Sequence, residues 1–347
     1  MKYDILKSEF GRKACRRIVV NLLNLKEGLE RAVPSKANNS DLLLATWNLR
    51  EFDSNRSGHG HRLTESLLYI GEILSAFDLI VLQELDENLS PLERLLFIMG
   101  GNWDYVPTGV CDGERMAFVY DSSRLSFERL SGAMTLPAEI SDNLRFVRHP
   151  FTATFRMAEI SFNICPVHLE CTQAEENYAA VNGKKIDTLV KCIAEKTCGE
   201  NEYGILVGDF NLQTPSNQLM NILMDNGFTV PEPFRGPLCE ANKLKTAHHD
   251  QIAFIERERE LEYAGNENSA GVFDFFQYVY REGDYYPYAK LLDHGKVGTN
   301  VRGEVTEKEI EGYFSDVWRT WQMSDHLPLW VELKIDFSME YLFDLIS

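Results

Sequence analysis

The chain has 347 residues, 44% of them hydrophobic and 25% charged, with a formal net charge of −18. That hydrophobic fraction is ordinary for a folded protein and excludes general disorder, and no apolar run approaches the ~20 residues a membrane helix needs. Nine Lys or Arg and four Asp or Glu fall in residues 1–40, which leaves 26 basic against 49 acidic residues, or −23, in the remainder. A body this acidic disfavours tight, indiscriminate binding of duplex nucleic acid, which depends on cations displacing counterions, and clustered carboxylates instead attract divalent cations.

Residues 1–40 read as a helical appendage with a linker. Leu22, Leu23, Leu25 and Leu29 give a partial helical stripe among Arg16, Arg17, Lys26 and Arg31. Pro34 and the polar run to Asp41 follow. A helix packed on the outside of the main domain is the simpler expectation, and a basic arm for nucleic acid or a partner is the sharper one. The apolar piece Ile18-Val19-Val20 is short, is broken by Asn21 and has no cleavage pattern after it, so no secretory signal is expected. Seven cysteines without a CxxC pair point to reduced thiols. These absences together place the protein in the cytoplasm, away from membranes.

The main domain runs over 41–347. Leu42 to Asn48 is an apolar run ending in a polar residue, as expected of a buried strand that delivers a side chain to its end. A polar loop with Gly58, His59, Gly60 and His61 leads to a predicted amphipathic helix over 62–77, and Asp78 to Glu84 is a second buried strand ending in a carboxylate. Pro91 to Met99 predicts a helix. Strand composition recurs at 116–120, 151–155 and 160–164, the last closed by Val167-His168. Residues 174–196 and 216–226 read as helices. Tyr203 to Val207 is a strand opening onto Gly208-Asp209-Phe210-Asn211, and Asp250 precedes a strand over 251–255. Residues 256–315 break this pattern with a charge run and then eight aromatics from Phe273 to Tyr288. They read as an insertion whose aromatics form a sub-core, or else a stacking platform for bases.

Six strand ends carry Asn48, Glu84, His168, Asp209 with Asn211, Asp250, and Asp325-His326. Each alone is a plausible turn residue. Carboxylates and imidazoles repeated at the rim of a buried sheet converge on one cleft, and such a set can hydrolyse a phosphate ester. Glu84, Asp325 and the amide of Asn48 are hard oxygen ligands suited to Mg²⁺ or Mn²⁺. His326 suits a general base for water, with Asp250 holding its tautomer. Asp209 and Asn211 can position water and a phosphate oxygen, and His168 can donate to the phosphate. No serine or cysteine nucleophile motif is present, so direct attack by water is favoured over a covalent intermediate.

Trp47-Asn48-Leu49-Arg50, Leu82-Gln83-Glu84, Val167-His168-Leu169, Gly208-Asp209-Phe210-Asn211, Asp250-Gln251-Ile252 and Ser324-Asp325-His326-Leu327-Pro328 together resemble the ordered motifs of the endonuclease/exonuclease/phosphatase superfamily, deoxyribonuclease-like and exonuclease III-like members included. The resemblance covers about residues 41–335, with 256–315 outside it. It implies an α+β fold, a four-layer α/β-sandwich of two face-to-face, mostly antiparallel sheets flanked by helices. It implies metal binding at Glu84 with Asn48 and Asp325 nearby, a His326–Asp250 pair, and a deoxyribonuclease-like histidine at 168. Arg115 and Arg148 occupy stretches that are basic in similar bacterial members, which implies phosphate contacts.

The tract Ala247-His248-His249-Asp250-Gln251 departs from the pattern typical of inositol 5-phosphatases. The leading expectation is a metal-dependent endonuclease acting on nucleic acid, DNA ahead of RNA. The alternatives are hydrolysis of a small phosphate ester, such as a nucleotide or phospholipid head group, and an idle scaffold whose 256–315 insertion binds a partner.

Overall fold

The computed structural model describes residues 1–36, 41–111, 113–133, 151–168, 187–188, 190–192, 203–210, 217–235, 250–300 and 302–346. Two sheets form the centre of the molecule. In the first, β1 (Leu42–Phe52) and β2 (Leu79–Asp86) run parallel. β3 (Trp103–Pro107) and β4 (Glu114–Asp121) extend the β2 side as antiparallel strands, and β12 (Leu329–Lys334) pairs antiparallel with β1. In the second sheet β5 (Leu125–Ala133), β6 (Phe151–Met157), β7 (Ile160–His168), β8 (Tyr203–Asp209) and β9 (Asp250–Phe254) follow in that order, with only the β7–β8 pair parallel.

The inner core lies between the sheets. Leu42, Leu44, Leu79, Val81 and Phe118 of the first sheet pack in one cluster with Phe155, Phe162, Ile205 and Val207 of the second. The opposite face of the first sheet is covered by α2 (Arg12–Ala32), α3 (Thr64–Leu74) and α4 (Ser90–Met99), and Leu6 of the short α1 (Ile5–Glu9) is buried in the same cluster. Leu223, on the helix Asn217–Asp225, is buried with the second sheet's residues. This is the expected layering of an α+β sandwich.

The amphipathic pattern explains α2. Ile18, Leu22, Leu25 and Leu29 recur at helical spacing and are all buried, whereas Leu23, also counted in the predicted stripe, is 61% exposed. Each buried residue of the stripe contributes roughly 1.5–3 kcal/mol on removal from water. Gly28 sets how closely α2 approaches, since a Cβ there would meet the Tyr278 ring at 2.3 Å.

Residues 256–315 are tied into the sheet and the core. Two short strands, β10 (Glu262–Tyr263) and β11 (Ala270–Val272), pair with β12. The aromatics that follow pack inward: Phe273, Phe275, Phe276, Tyr280 and Tyr288 are buried in the cluster that holds α2 and α3, and Tyr286 alone of the eight is mostly exposed, at 78%. They make a sub-core and leave little ring surface for bases. β3 and β5 have no counterpart in the sequence reading. The predicted helix over 174–196 lies largely outside the described residues.

Candidate active site

Alternation along β1 and β2 determines which residues can meet. Leu42 and Leu44 of β1 and Leu79 and Val81 of β2 face the second sheet, and Leu43, Ala45, Trp47, Ile80 and Leu82 face the helices. Asn48 is therefore aimed at the second sheet. The same rule aims Glu84 at the helices. Glu84 instead has φ +55°, and the β2–β4 pairing slips between Leu82 and Leu85. This bulge turns the carboxylate over to Asn48.

A continuous polar chain results. Asn48 Nδ2 donates to Glu84 Oε1 at 2.7 Å and to Asp209 Oδ2 at 3.2 Å. The backbone N–H of Glu51 donates to Glu84 Oε2 at 3.0 Å. Asp209 Oδ2 lies 3.9 Å from His326 Nε2, and His326 Nδ1 is 2.8 Å from Asp250 Oδ2. His168 Nε2 approaches Glu84 Oε1 at 3.9 Å. Asp209 reaches this point because Gly208 precedes it with φ +138°, a conformation in which a Cβ would stand 2.1 Å from the Val167 carbonyl oxygen.

The His326 loop is tied to β1. Ser324 Oγ donates to the carbonyl of Asn48 at 2.6 Å and accepts from the His326 N–H at 2.9 Å. Trp47 Nε1 donates to the His326 carbonyl at 2.9 Å. Burial works to strip His326 of its proton, but the carboxylates of Asp250, Asp209 and Asp325 outweigh it and push its pKa up to about 10. Burial pushes Asp250 up to about 7, with His326 pulling against that and the Asp209 and Glu84 charges adding to it.

Of the residues singled out in the sequence, Asn48, Glu84, His168, Asp209, Asp250 and His326 share this chain of contacts. Asp325 is more open, at 41% side-chain exposure, and pairs with Arg50 Nε at 3.5 Å. Arg115 lies on β4 opposite Leu85, beside the Glu84 bulge. Asn211 and Arg148 lie outside the described residues. Arg50, to which the sequence motif assigned no role, is also drawn to this site through its pairing with Asp325. Its guanidinium bonds Thr320 Oγ1 and lies 4.1 Å from the centre of the Trp321 ring, which stacks on His59 at 4.3 Å. Its place in the Trp47–Arg50 motif was the available signal.

The donor set fits a hard divalent cation, because carboxylate oxygens gather where few cations balance them. Asp209, Asp250 and His326 each offer an atom within 4.8 Å of the others. The Asn48 oxygen accepts from the Arg50 N–H at 2.8 Å, and its amide nitrogen faces the carboxylates. A separate cavity of about 270 Å³ lies by α2 and α3 at the other end of the strands, and its Lys26 and Lys36 are already paired with Glu72 and Asp121.

The sequence matches no protein-family model and no curated protein. Solved structures do share its fold. D. rerio TDP2, humanized by 14 mutations, superposes with a TM-score of 0.53 at 13% identity, over 85% of this chain and 100% of that one. D. rerio TDP2 complexed with a single-strand DNA product gives 0.52 at 14%, over 85% and 100%. A mannosyl-6-phosphatase from Bacteroides thetaiotaomicron gives 0.51 at 15%, over 85% and 100%. An endonuclease/exonuclease/phosphatase family protein from the same organism gives 0.51 at 15%, over 86% and 99%. The chain has the fold of the endonuclease/exonuclease/phosphatase family.

Proposed function

We propose that this chain is a divalent-metal-dependent phosphodiesterase of that superfamily, acting on nucleic acid as an endonuclease. The observation that carries the proposal is the polar chain from Glu84 through Asn48 and Asp209 to the His326–Asp250 pair. Asp250 accepts a hydrogen bond from the Nδ1–H of His326, which keeps the proton on Nδ1 and leaves Nε2 to accept one from water. The 3.9 Å between Nε2 and Asp209 suits a water held by both. His168, beside Glu84, and Arg50, beside Asp325, are assigned as donors to a phosphate oxygen, and Arg115 takes the same role at the edge. Glu84 and Asp325, with Asn48 beside them, would hold Mg²⁺ or Mn²⁺. When bound, the cation supplies positive charge that draws in the phosphate and weakens the carboxylates' hold on the His326 proton.

A second reading, hydrolysis of a small phosphate ester, is favoured by the acidic body, and a structural neighbour is a sugar phosphatase. One cleavage assay separates the two. Supercoiled plasmid, single-stranded DNA, RNA and bis-p-nitrophenyl phosphate are each incubated with Mg²⁺, Mn²⁺ or EDTA, beside His326→Ala. Metal-dependent nicking that disappears in the variant supports the endonuclease. Cleavage of the small ester alone supports the second reading, and turnover that survives His326→Ala overturns the mechanism.

A further inference from the structure

Arg62 lies in the polar loop before α3, yet it is only 5% exposed. Its Nη2 group donates to the carbonyls of Leu49, Arg50 at 3.1 Å and Met323 at 3.2 Å. The guanidinium carbon sits 4.8 Å from the centre of the Phe52 ring. Among the described residues its side chain forms no ion pair: it is a buried cation whose Nη2 is held by backbone oxygens, while its Nε is buried without a hydrogen-bond partner. Such a group is costly to bury. Burial pulls it down to about 10, while the charges of Asp53, Asp325 and Glu84 hold it up against Arg50.

The three carbonyls belong to the two segments that must meet for catalysis. Leu49 and Arg50 directly follow Asn48, and Arg50 and Glu51 have φ of 48° and 45°. Left-handed backbone at such residues persists only where neighbours hold it, at about 1–3 kcal/mol each. Met323 directly precedes Ser324, Asp325 and His326. Gln322 adds to the junction, its Oε1 accepting from the Leu63 N–H at 2.9 Å and from Ser66 Oγ at 2.8 Å.

We propose that Arg62 is a positioning residue, a clamp that holds the Asn48–Arg50 segment and the Ser324–His326 loop in the alignment that catalysis requires. It touches no reacting atom, and it rests on the phosphodiesterase reading above. The reach and flat shape of the guanidinium are what the role needs, because all three bonds leave its far nitrogen, Nη2, while the group lies over the Phe52 ring, and the shorter lysine side chain ends its ammonium before that point.

The test uses the full chain with Arg62→Met and Arg62→Lys, each confirmed as folded by circular dichroism. With Mn²⁺ and bis-p-nitrophenyl phosphate, kcat falls ~100-fold in Arg62→Met, the loss expected for a misplacement of about 1 Å. KM changes little, and Arg62→Lys stays close to the methionine variant. Wild-type kcat in folded Arg62→Met, or full rescue by lysine, overturns the proposal. A second readout needs no turnover. The His326 proton shared with Asp250 gives a far-downfield proton resonance, identified by its loss in Asp250→Asn. It shifts or broadens in Arg62→Lys, and an unchanged resonance overturns the clamp. If Arg62→Met does not fold, the lysine variant carries both readouts. Wild-type protein inactive on every phosphodiester sinks the phosphodiesterase reading alone and leaves the resonance test to judge Arg62.

Discussion

His326 Nδ1 and Asp250 Oδ2 are 2.8 Å apart although 76 residues separate them in the chain, and the carboxylate is fully buried beneath the imidazole. The hydrogen bond fixes both the ring's orientation and its tautomer, leaving Nε2 directed at Asp209. His326→Ala is expected to lower kcat for a phosphodiester by ~10³-fold, within the range usual for a general base. Asp250→Asn lowers it in the same direction, because the neutral amide no longer favours the same tautomer. Steady-state kinetics on bis-p-nitrophenyl phosphate check both, and unaltered turnover in His326→Ala removes the imidazole from the mechanism.

The same pair makes stability depend on pH. Folding raises Asp250 from 3.8 to about 7 and His326 from 6.5 to about 10. Within each window the folded state binds more protons than the unfolded state, so raising the pH removes stability. The contribution is fully present below the unfolded values and is lost as pH rises through the folded ones. Metal-free protein in EDTA should show a urea midpoint that declines between about pH 5 and about pH 9. The Asp250→Asn/His326→Gln double variant should show a shallower decline. A wild-type profile that rises across this range contradicts the assignment.

Cation binding should be visible without substrate. Ligand that binds only the folded state stabilises it by about 2.7 kcal/mol at a hundred times Kd. Mn²⁺ is therefore expected to raise the urea midpoint of wild type, with EDTA reversing the shift and Glu84→Gln largely losing it. An equal shift in wild type and Glu84→Gln would place the cation elsewhere.

Gly208→Ala is expected to cost roughly 2–4 kcal/mol, the sum of a strained backbone and a forced separation. The added methyl collides with the Val167 carbonyl across the parallel β7–β8 pair, and Asp209 is the next residue. Chemical denaturation measures the stability loss. Activity should fall beyond what unfolding explains, since Asp209 moves with the strand. A stability within experimental error of wild type would show that the strands can part without penalty.

Much of the site was legible because strands are short and their apolar runs stop abruptly. Asp209 and Asp250 stand where strands end or begin, and the Ser324-Asp325-His326 turn was visible for the same reason. Asn48, read as a strand end, lies instead inside β1, which continues to Phe52 because Leu49 and Phe52 are also buried. β3 was missed because Asp104 and Pro107 dilute its composition and its residues are only partly covered. β10 and β11 span two and three residues, too few for a period, and exist because β12 offers them partners.

The sequence by itself determined the order of the polar strand ends and the acid-rich chemistry, since both follow from local pattern and residue type, and its motifs implied the α+β layering through their resemblance to a known family. Only the tertiary structure decided how Glu84 reaches Asn48. Strict alternation sends that carboxylate toward the helices, and a left-handed residue at a slipped register, paired on both sides, returns it to the site. Only the tertiary structure, too, made Arg62 a buried cation at the junction of two distant segments. Its carbonyl partners come from residues 49, 50 and 323, and a backbone oxygen carries no mark of its partner in the sequence.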